Sequence, residues 1–421
     1  IRQSMILLEH IKPVGDPNSL SDTYLSSVQV ERMKMEAKFF IAYNYLSLFE
    51  LYGPVPIIKE IADPNDPNFT DYPRASVDEM VAYIDGLFGE VINSDAIPET
   101  TFASGGASEN RDHSDHNNAK YALSEAVRPT KAAALALRAR LWVYAASPLF
   151  NGGYTEAVQT VNYDGTPIFP ASNPEKWKTA KQHLETFLNF AEDMGYGLFE
   201  VEEEGIVNAD KSVYELFQYY NDEIIWATNQ NGYYAVSSAM EKRSNPRGVY
   251  NGWANLGVFQ ETVDAFFMRN GQRPIIGYNS DGSPKVNPDA NYSETGFSTQ
   301  KETYSTKWQY GSSEGDRNKD ENVVVDANTY KMYCDREPRF YISVLHNEQW
   351  HIGGKRNTDF YMDGKDGGPS HDAPWSGYLV RKRVDPSANP KEGSGDYKNR
   401  HGALCRLAEI YFCLLYTSDA A

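Results

Sequence analysis

The sequence predicts a mainly α-helical protein, with helical pairs forming a scaffold up to about residue 200 and a large irregular lobe of loops and short strands after it. Three observations predict this. Apolar residues before that point recur at alternating spacings of three and four, the period of one helix face. Capping residues and Gly or Pro stops bracket those segments. After about Gly197 the stripes give way to short apolar alternations among Gly, Asn, Asp and Pro turns.

The first helix is expected over Val28–Tyr52, where Met35, Phe39, Ala42, Leu46 and Phe49 form one stripe and Gly53–Pro54 stops it. Ser76 and Glu79 make a capping box for the next, whose stripe is Val77, Val81, Ile84, Phe88 and Val91. These two should pack as a pair. A third helix starts near Pro129, where the first turn tolerates proline, and runs to Ser147 before Pro148. Its stripe, Ala132, Ala136, Ala139, Val143 and Ala146, is small-sided and admits a close neighbour. That neighbour begins at Asn173–Pro174, turns Trp177, Ala180, Leu184, Phe187, Ala191 and Met194 inward, and ends at Gly195. Two such hairpins resemble a tetratricopeptide-like scaffold, with long insertions breaking the strict period. In the irregular half, Glu223–Thr228, Phe340–Leu345 and Tyr378–Val384 read as strands. Phe259–Met268 reads as a helix stopped by Asn270 and Gly271.

Composition excludes some functions. With 41% apolar and 23% charged residues the chain is an ordinary folding one, and its formal charge of -18 repels nucleic acid and anionic lipid surfaces at long range. The cysteines Cys334, Cys405 and Cys413 form neither a disulfide framework nor a metal knuckle. No stretch is apolar enough to span a membrane. Ile1 opens inside an apolar periodic stretch, so a preceding N-terminal portion is expected.

Catalytic and metal motifs are weak. Gly311, Ser313 and Gly315 match GxSxG, but Asp316, Arg317, Asn318, Lys319 and Asp320 follow where an apolar helix is required, so the segment reads as a solvated turn. Asp316, Asn318 and Asp320 open like a calcium loop, yet Glu321 and Ala327 occupy the positions that need Gly and Glu, which excludes an EF-hand and leaves a lone structural calcium open. His113 and His116 beside Asp112 and Asp115 lack a third zinc ligand and read as a polar loop. No carboxylate pair is singled out for glycoside hydrolysis. No catalytic residue, metal or cofactor is therefore expected, and the alternative is a glycan-processing helical enzyme of glycoside hydrolase type.

The positive signal is aromatic. Phe, Trp and Tyr make up 13% of the chain, and Trp253, Trp308, Tyr310, Trp350 and Trp375 lie in polar, turn-like surroundings. Such rings stack on the C–H faces of sugars while neighbouring Asn, Asp and Arg meet the hydroxyls, so these five are the candidate ligand-binding residues.

Six segments in order resemble the SusD/RagB family of nutrient-binding surface lipoproteins. They are EAKFFIAYNYLSLFELYGPVPII (Glu36–Ile58), AAALALRARLWVYAASPLFNGG (Ala132–Gly153), VDAFFMRNGQRP (Val263–Pro274), DREPRFYISVL (Asp335–Leu345), SGYLVRKRVDP (Ser376–Pro386) and RLAEIYF (Arg406–Phe412). The resemblance implies a SusD-like fold without catalysis, a glycan ligand, and a SusC-like TonB-dependent β-barrel transporter as partner. It also implies an outer-membrane, cell-surface location through an N-terminal signal and lipid anchor, the chain's one link to a membrane. The expected organisation is a helical scaffold over 1–200, a ligand-facing lobe over 201–400, and a truncated scaffold helix over 401–421 whose last nine residues, Cys413–Ala421, read as foreign.

Overall fold

In the computed structural model the described residues are 1–421 except 16–23, 62, 64, 66–71, 102–126, 219, 229–238, 250–251, 304–322, 352–353, 355, 383, 385–401 and 421. Contacts divide them into two compact units. The first comprises Ile1–Leu198, Asp222–Ala227 and Ala403–Ala421, and the second Phe199–Asn221 and Thr228–Gly402.

The first unit is helical. Its helices are α1 (Arg2–His10), α2 (Ser27–Tyr52), α3 (Val77–Ile92), α4 (Lys131–Ala146), the single turn α5 (Thr155–Val158), α6 (Glu175–Met194), and a last helix over Leu407–Ala420. Helix α3 packs against α2 and α4, α6 packs against α4, and the last helix lies against α6 and α4. The expected boundaries hold for the four main helices to within a few residues. Both Ser76 and Ser26 form complete capping boxes, with Glu79 and Gln29 as the reciprocal partners. Gly195 closes α6 in the left-handed conformation, at φ 78°.

Helix α4 differs from its expected single stripe. Ala133, Leu137 and Leu141 are buried as fully as Ala132, Ala136 and Ala139, and Tyr144 alone is exposed, because α3 and α6 both pack on this helix. Its arginines reach outward to carboxylates. Arg138 makes a bidentate pair with Asp85 of α3 at 2.7 and 2.8 Å, and Trp142 Nε1 donates to the same carboxylate at 2.7 Å. Burial opposes ionisation of Asp85, but these bonds outweigh it and hold its pKa below the ordinary value. Arg140 holds Glu409 of the last helix at 2.6 and 2.7 Å.

An antiparallel strand pair, the buried Ile224–Ala227 with Ala403–Arg406, completes this unit. Trp226 packs edge-on against Phe39 at 5.0 Å and Tyr43 at 4.8 Å, and its indole N–H donates to the Val127 carbonyl at 3.0 Å. After α4, the SPLFNGG segment turns on Asn151, which donates to the Asn173 carbonyl and accepts the Asn173 N–H, both at 2.9 Å. Gly152 has φ 72°, and a Cβ there would sit 2.3 Å from the Ser172 nitrogen, so only glycine fits.

The second unit is built from short two-stranded antiparallel pieces and short helices. Ile275–Tyr278 pairs with Pro284–Val286, Val344–Leu345 with Leu379–Val380, and Trp350–His351 with Arg356–Asn357. The strand expected over Phe340–Leu345 is instead a helix, Pro338–Ser343, followed by the two-residue strand. Pro338 sits in the first helical turn, where its fixed φ favours a helix start over the extended form that the aromatic and β-branched residues suggested. The helix expected over Phe259–Met268 covers Gln260–Ala265, and Phe266 leaves it in an extended conformation.

The core of this unit forms around Phe340, Tyr341, Ile342, Val263 and Tyr333. Arg336 is fully buried among them. Its guanidinium donates to the carbonyls of Val263, Phe266 and Met332 and lies 4.8 Å from the centre of the Phe340 ring. Two histidines are also buried. His346 lies nearly parallel to Tyr333 at 4.4 Å and to Phe340 at 5.6 Å. His351 Nδ1 accepts the Gly354 N–H at 3.1 Å, which leaves Nε2 as the donor to Asn245 Oδ1 at 3.0 Å.

Burial pushes both imidazoles down to about 3, so they are neutral in the fold but gain protons below about 6.5 once unfolded. Their contribution is therefore complete above that unfolded value and is lost as pH falls from it toward 3. Each ring should remove up to about 1.4 kcal/mol of stability per pH unit in that window. Thermal melts of the protein at pH 7.5 and 5.0 should show a lower transition at pH 5.0, with a smaller drop in His346→Gln. Equal midpoints at the two pH values would contradict neutral burial.

Candidate functional site

The DREPRF segment organises one side of the second unit. Glu337 exchanges bonds with Phe267, its N–H donating to the Phe267 carbonyl and its carboxylate accepting the Phe267 N–H, both at 2.9 Å. Asp335 accepts the Arg269 N–H on its carbonyl at 2.7 Å, pairs with the Arg269 guanidinium at 3.4 Å, and accepts Asn291 Nδ2 at 3.2 Å. Asp335 and Asn291 both hold positive φ, 53° and 50°, a conformation that short polar side chains tolerate better than others. Arg336 lies 5.7 Å beneath the Tyr292 ring.

These constraints shape a pocket of about 470 Å³, within the roughly 300–1,000 Å³ usual for small-molecule sites. Three segments wall it: Val286–Ser293 after the hairpin, Ser298–Glu302, and the stretch from Lys331 to Asp335. The lining is polar, with asparagine, serine, threonine, glutamine and lysine side chains, and Tyr292 supplies a ring. Ser298 is pinned by donating Oγ to the Asp326 carbonyl at 2.7 Å, and Asn287 by donating to the Arg273 carbonyl at 2.9 Å. Tyr330 ties the Lys331 turn to the Glu294 carbonyl.

Two acids and a thiol line the wall. Burial raises the Glu302 pKa, although its carboxylate accepts the Asp335 N–H at 2.7 Å. Cys334 is half-buried, and burial, with Glu302 beside it, pushes its thiol up to about 12. It is a protonated wall group and not a nucleophile. Among the described residues no cluster of three or more His, Cys, Asp or Glu is arranged to hold a metal ion.

Of the five aromatic candidates, Trp253, Trp350 and Trp375 lie among the described residues. Trp253 is half-buried, with Lys242 Nζ 4.6 Å and Arg243 Cζ 5.8 Å from its ring centre, and its backbone N–H donates to the Lys242 carbonyl at 2.8 Å. The turn carrying it is tight, since a Cβ at Gly252 would lie 2.1 Å from the Asn245 oxygen. Trp350 is half-buried on a strand beside His351. Asn245 links the two regions, accepting the Ala254 N–H and bonding His351. Trp375 is 85% exposed on the Pro374–Gly377 turn. None of these three lines the pocket. Trp308 and Tyr310 lie outside the described residues, as do the GxSxG segment, the Asp316–Asp320 turn, and His113 and His116. The pocket escaped sequence reading because its lining comes from common polar residues in three segments with no motif. Only the DREPRF run beneath it stood out.

Comparison with known proteins places the chain. Residues 222–414 match the sequence model of the SusD family. Over those residues the chain belongs to the SusD family. Among solved structures, the protein BT4246 superimposes with a TM-score of 0.63 at 20% identity, over 100% of this chain and 67% of that one. A SusD-like protein from Bacteroides fragilis gives 0.53 at 20% identity, over 93% and 59%. A protein from the same organism described as a SusD-like carbohydrate binding protein gives 0.55 at 15% identity, over 95% and 57%. At these identities the likeness establishes a SusD-like fold, and the chain spans less than two thirds of the length of the two Bacteroides fragilis proteins. Among curated protein sequences nothing matches.

The environment of Cys334 has a direct chemical consequence. In the folded protein iodoacetamide at pH 8 should label it at least about 100-fold more slowly than in urea, since a thiol near 12 exposes little thiolate. Equal rates, measured by peptide mass spectrometry, would contradict the buried-wall assignment.

Proposed function

We propose that this protein binds glycan through its second unit and catalyses no reaction on it. The observation that carries the reading is the polar, tyrosine-bearing pocket at Val286–Asp335, set in a chain whose residues 222–414 match the SusD family. Sugars present hydroxyls all round and apolar C–H faces above and below. A site of amides, hydroxyls and one ring held by buried packing meets both demands with little reorganisation. One similar solved structure is described as a carbohydrate binding protein, which supports the same ligand class here.

The fuller reading follows from the family. The protein delivers its glycan to a SusC-like TonB-dependent β-barrel transporter and is held at the outer-membrane surface by an N-terminal lipid. No described helix is long and apolar enough to cross a membrane. The ligand-facing surface is the loop-rich part, about residues 201–400, and its exposed ring Trp375 and half-buried ring Trp253 are proposed as outlying contacts for a longer chain.

Two measurements test this. Affinity gels with a polysaccharide panel should show retention without release of shorter products. Trp253→Ala and Trp375→Ala should each weaken retention by up to roughly tenfold, the loss of about 1.4 kcal/mol. Trp375→Ala should leave the melting temperature unchanged, because a ring 85% exposed contributes little to packing. Wild-type retention in both variants would remove these rings from the site, and released oligosaccharides would establish the enzyme alternative. In the native membrane the protein should co-purify with a large β-barrel, and its recovery from mild detergent as a free monomer would overturn the transport reading.

A further inference from the structure

The pocket's charges are not evenly available. Both carboxylates in its lining are already committed within the protein. Asp335 is held by the Arg269 guanidinium and by the Asn291 amide, and Glu302 accepts the Asp335 N–H. Lys331 is placed differently. Lys331 and Lys301 are exposed at the pocket, and among the described residues Lys331 has no carboxylate partner. The turn that carries Lys331 is rigidly set: its N–H donates to the Gly296 carbonyl at 3.0 Å, and Tyr330 before it bonds Glu294. The wall thus presents an uncommitted ammonium beside hydroxyl and amide groups, while its two acids are already bonded to protein groups.

Resting on the reading that this pocket takes glycan, we infer that it selects an anionic sugar unit, one bearing a carboxylate or a sulfate ester, with Lys331 as the residue that meets the charge. A neutral sugar would leave the ammonium solvated and indifferent. An anionic one gains a charge-assisted hydrogen bond, roughly twice as strong as a neutral one. The chain's overall charge of -18 sharpens the point, since an anionic ligand is repelled at long range and needs a local cation to be held.

The test uses the full chain and polysaccharides in matched pairs: polygalacturonan and glucuronoxylan with their carboxyl-reduced forms, and chondroitin sulfate with its desulfated form. Retention in affinity gels is measured for the wild type, Lys331→Gln, Lys331→Arg and, as a control outside the pocket, Lys285→Gln. The wild type should hold at least one charged member roughly threefold to tenfold more tightly than its neutralised twin. Lys331→Gln should abolish that preference with an unchanged melt, and Lys331→Arg and Lys285→Gln should keep it. The pair that responds distinguishes carboxylate from sulfate. Equal retention of every pair, persistence of the preference in Lys331→Gln, or an equal loss in Lys285→Gln would overturn this inference and leave glycan binding standing. Failure to retain any polysaccharide, charged or neutral, would overturn the glycan reading and this inference with it.

Discussion

The helical unit depends on α4 being buried on nearly every side. A helix with neighbours on two faces is approached most closely where its side chains are small, because the interaxial distance, roughly 8–10 Å, depends on the side chains at the contact. Its alanines supply that closeness, and Leu137 and Leu141 fill what remains. The cost of such burial falls on the arginines that the helix also carries. Arg138 and Arg140 are each met by a bidentate carboxylate from a different neighbour, so that neither cation is left uncompensated in a poorly hydrated place. Packing and charge pairing are therefore one constraint: the neighbours that close on α4 must also bring Asp85 and Glu409.

The second unit meets a similar problem without long helices. Its backbone is irregular, and irregular backbone has carbonyls that no helix or sheet ladder satisfies. Arg336 collects three of them at once, and its planar donors do this better than lysine could. Asp335 and Glu337 on either side fix the same 263–269 segment, so three consecutive residues of the DREPRF run act as a staple. This staple places the pocket wall, because Asp335 and Cys334 belong to it and Tyr292 rests above Arg336. A core requirement of the fold and the shape of the candidate site have the same cause.

Four helices, the Ser76–Glu79 capping box and three of the stops could be read from the chain because each is a local matter: a stripe at helical spacing, a serine three residues before a glutamate, a glycine or proline at the end. The mainly helical class and the change of character near Gly197 were legible for the same reason. The DREPRF and SPLFNGG runs stood out as resemblances, although their roles as a carbonyl staple and an asparagine-held turn were not visible in them.

What only the tertiary structure decided is non-local. The two-sided burial of α4 depends on which helices return to it. The strand Ile224–Ala227 joins the helical unit because its partner arrives from Ala403–Arg406, nearly 180 residues later. Phe340–Leu345 has the composition of a strand, yet one proline at its head makes most of it a helix. The pocket was invisible in sequence because a polar residue carries no signal of its own. Asn291, Tyr292, Glu302 and Lys331 become a site only when three turns meet, and which of their charges stay available depends on the partners folding assigns to them.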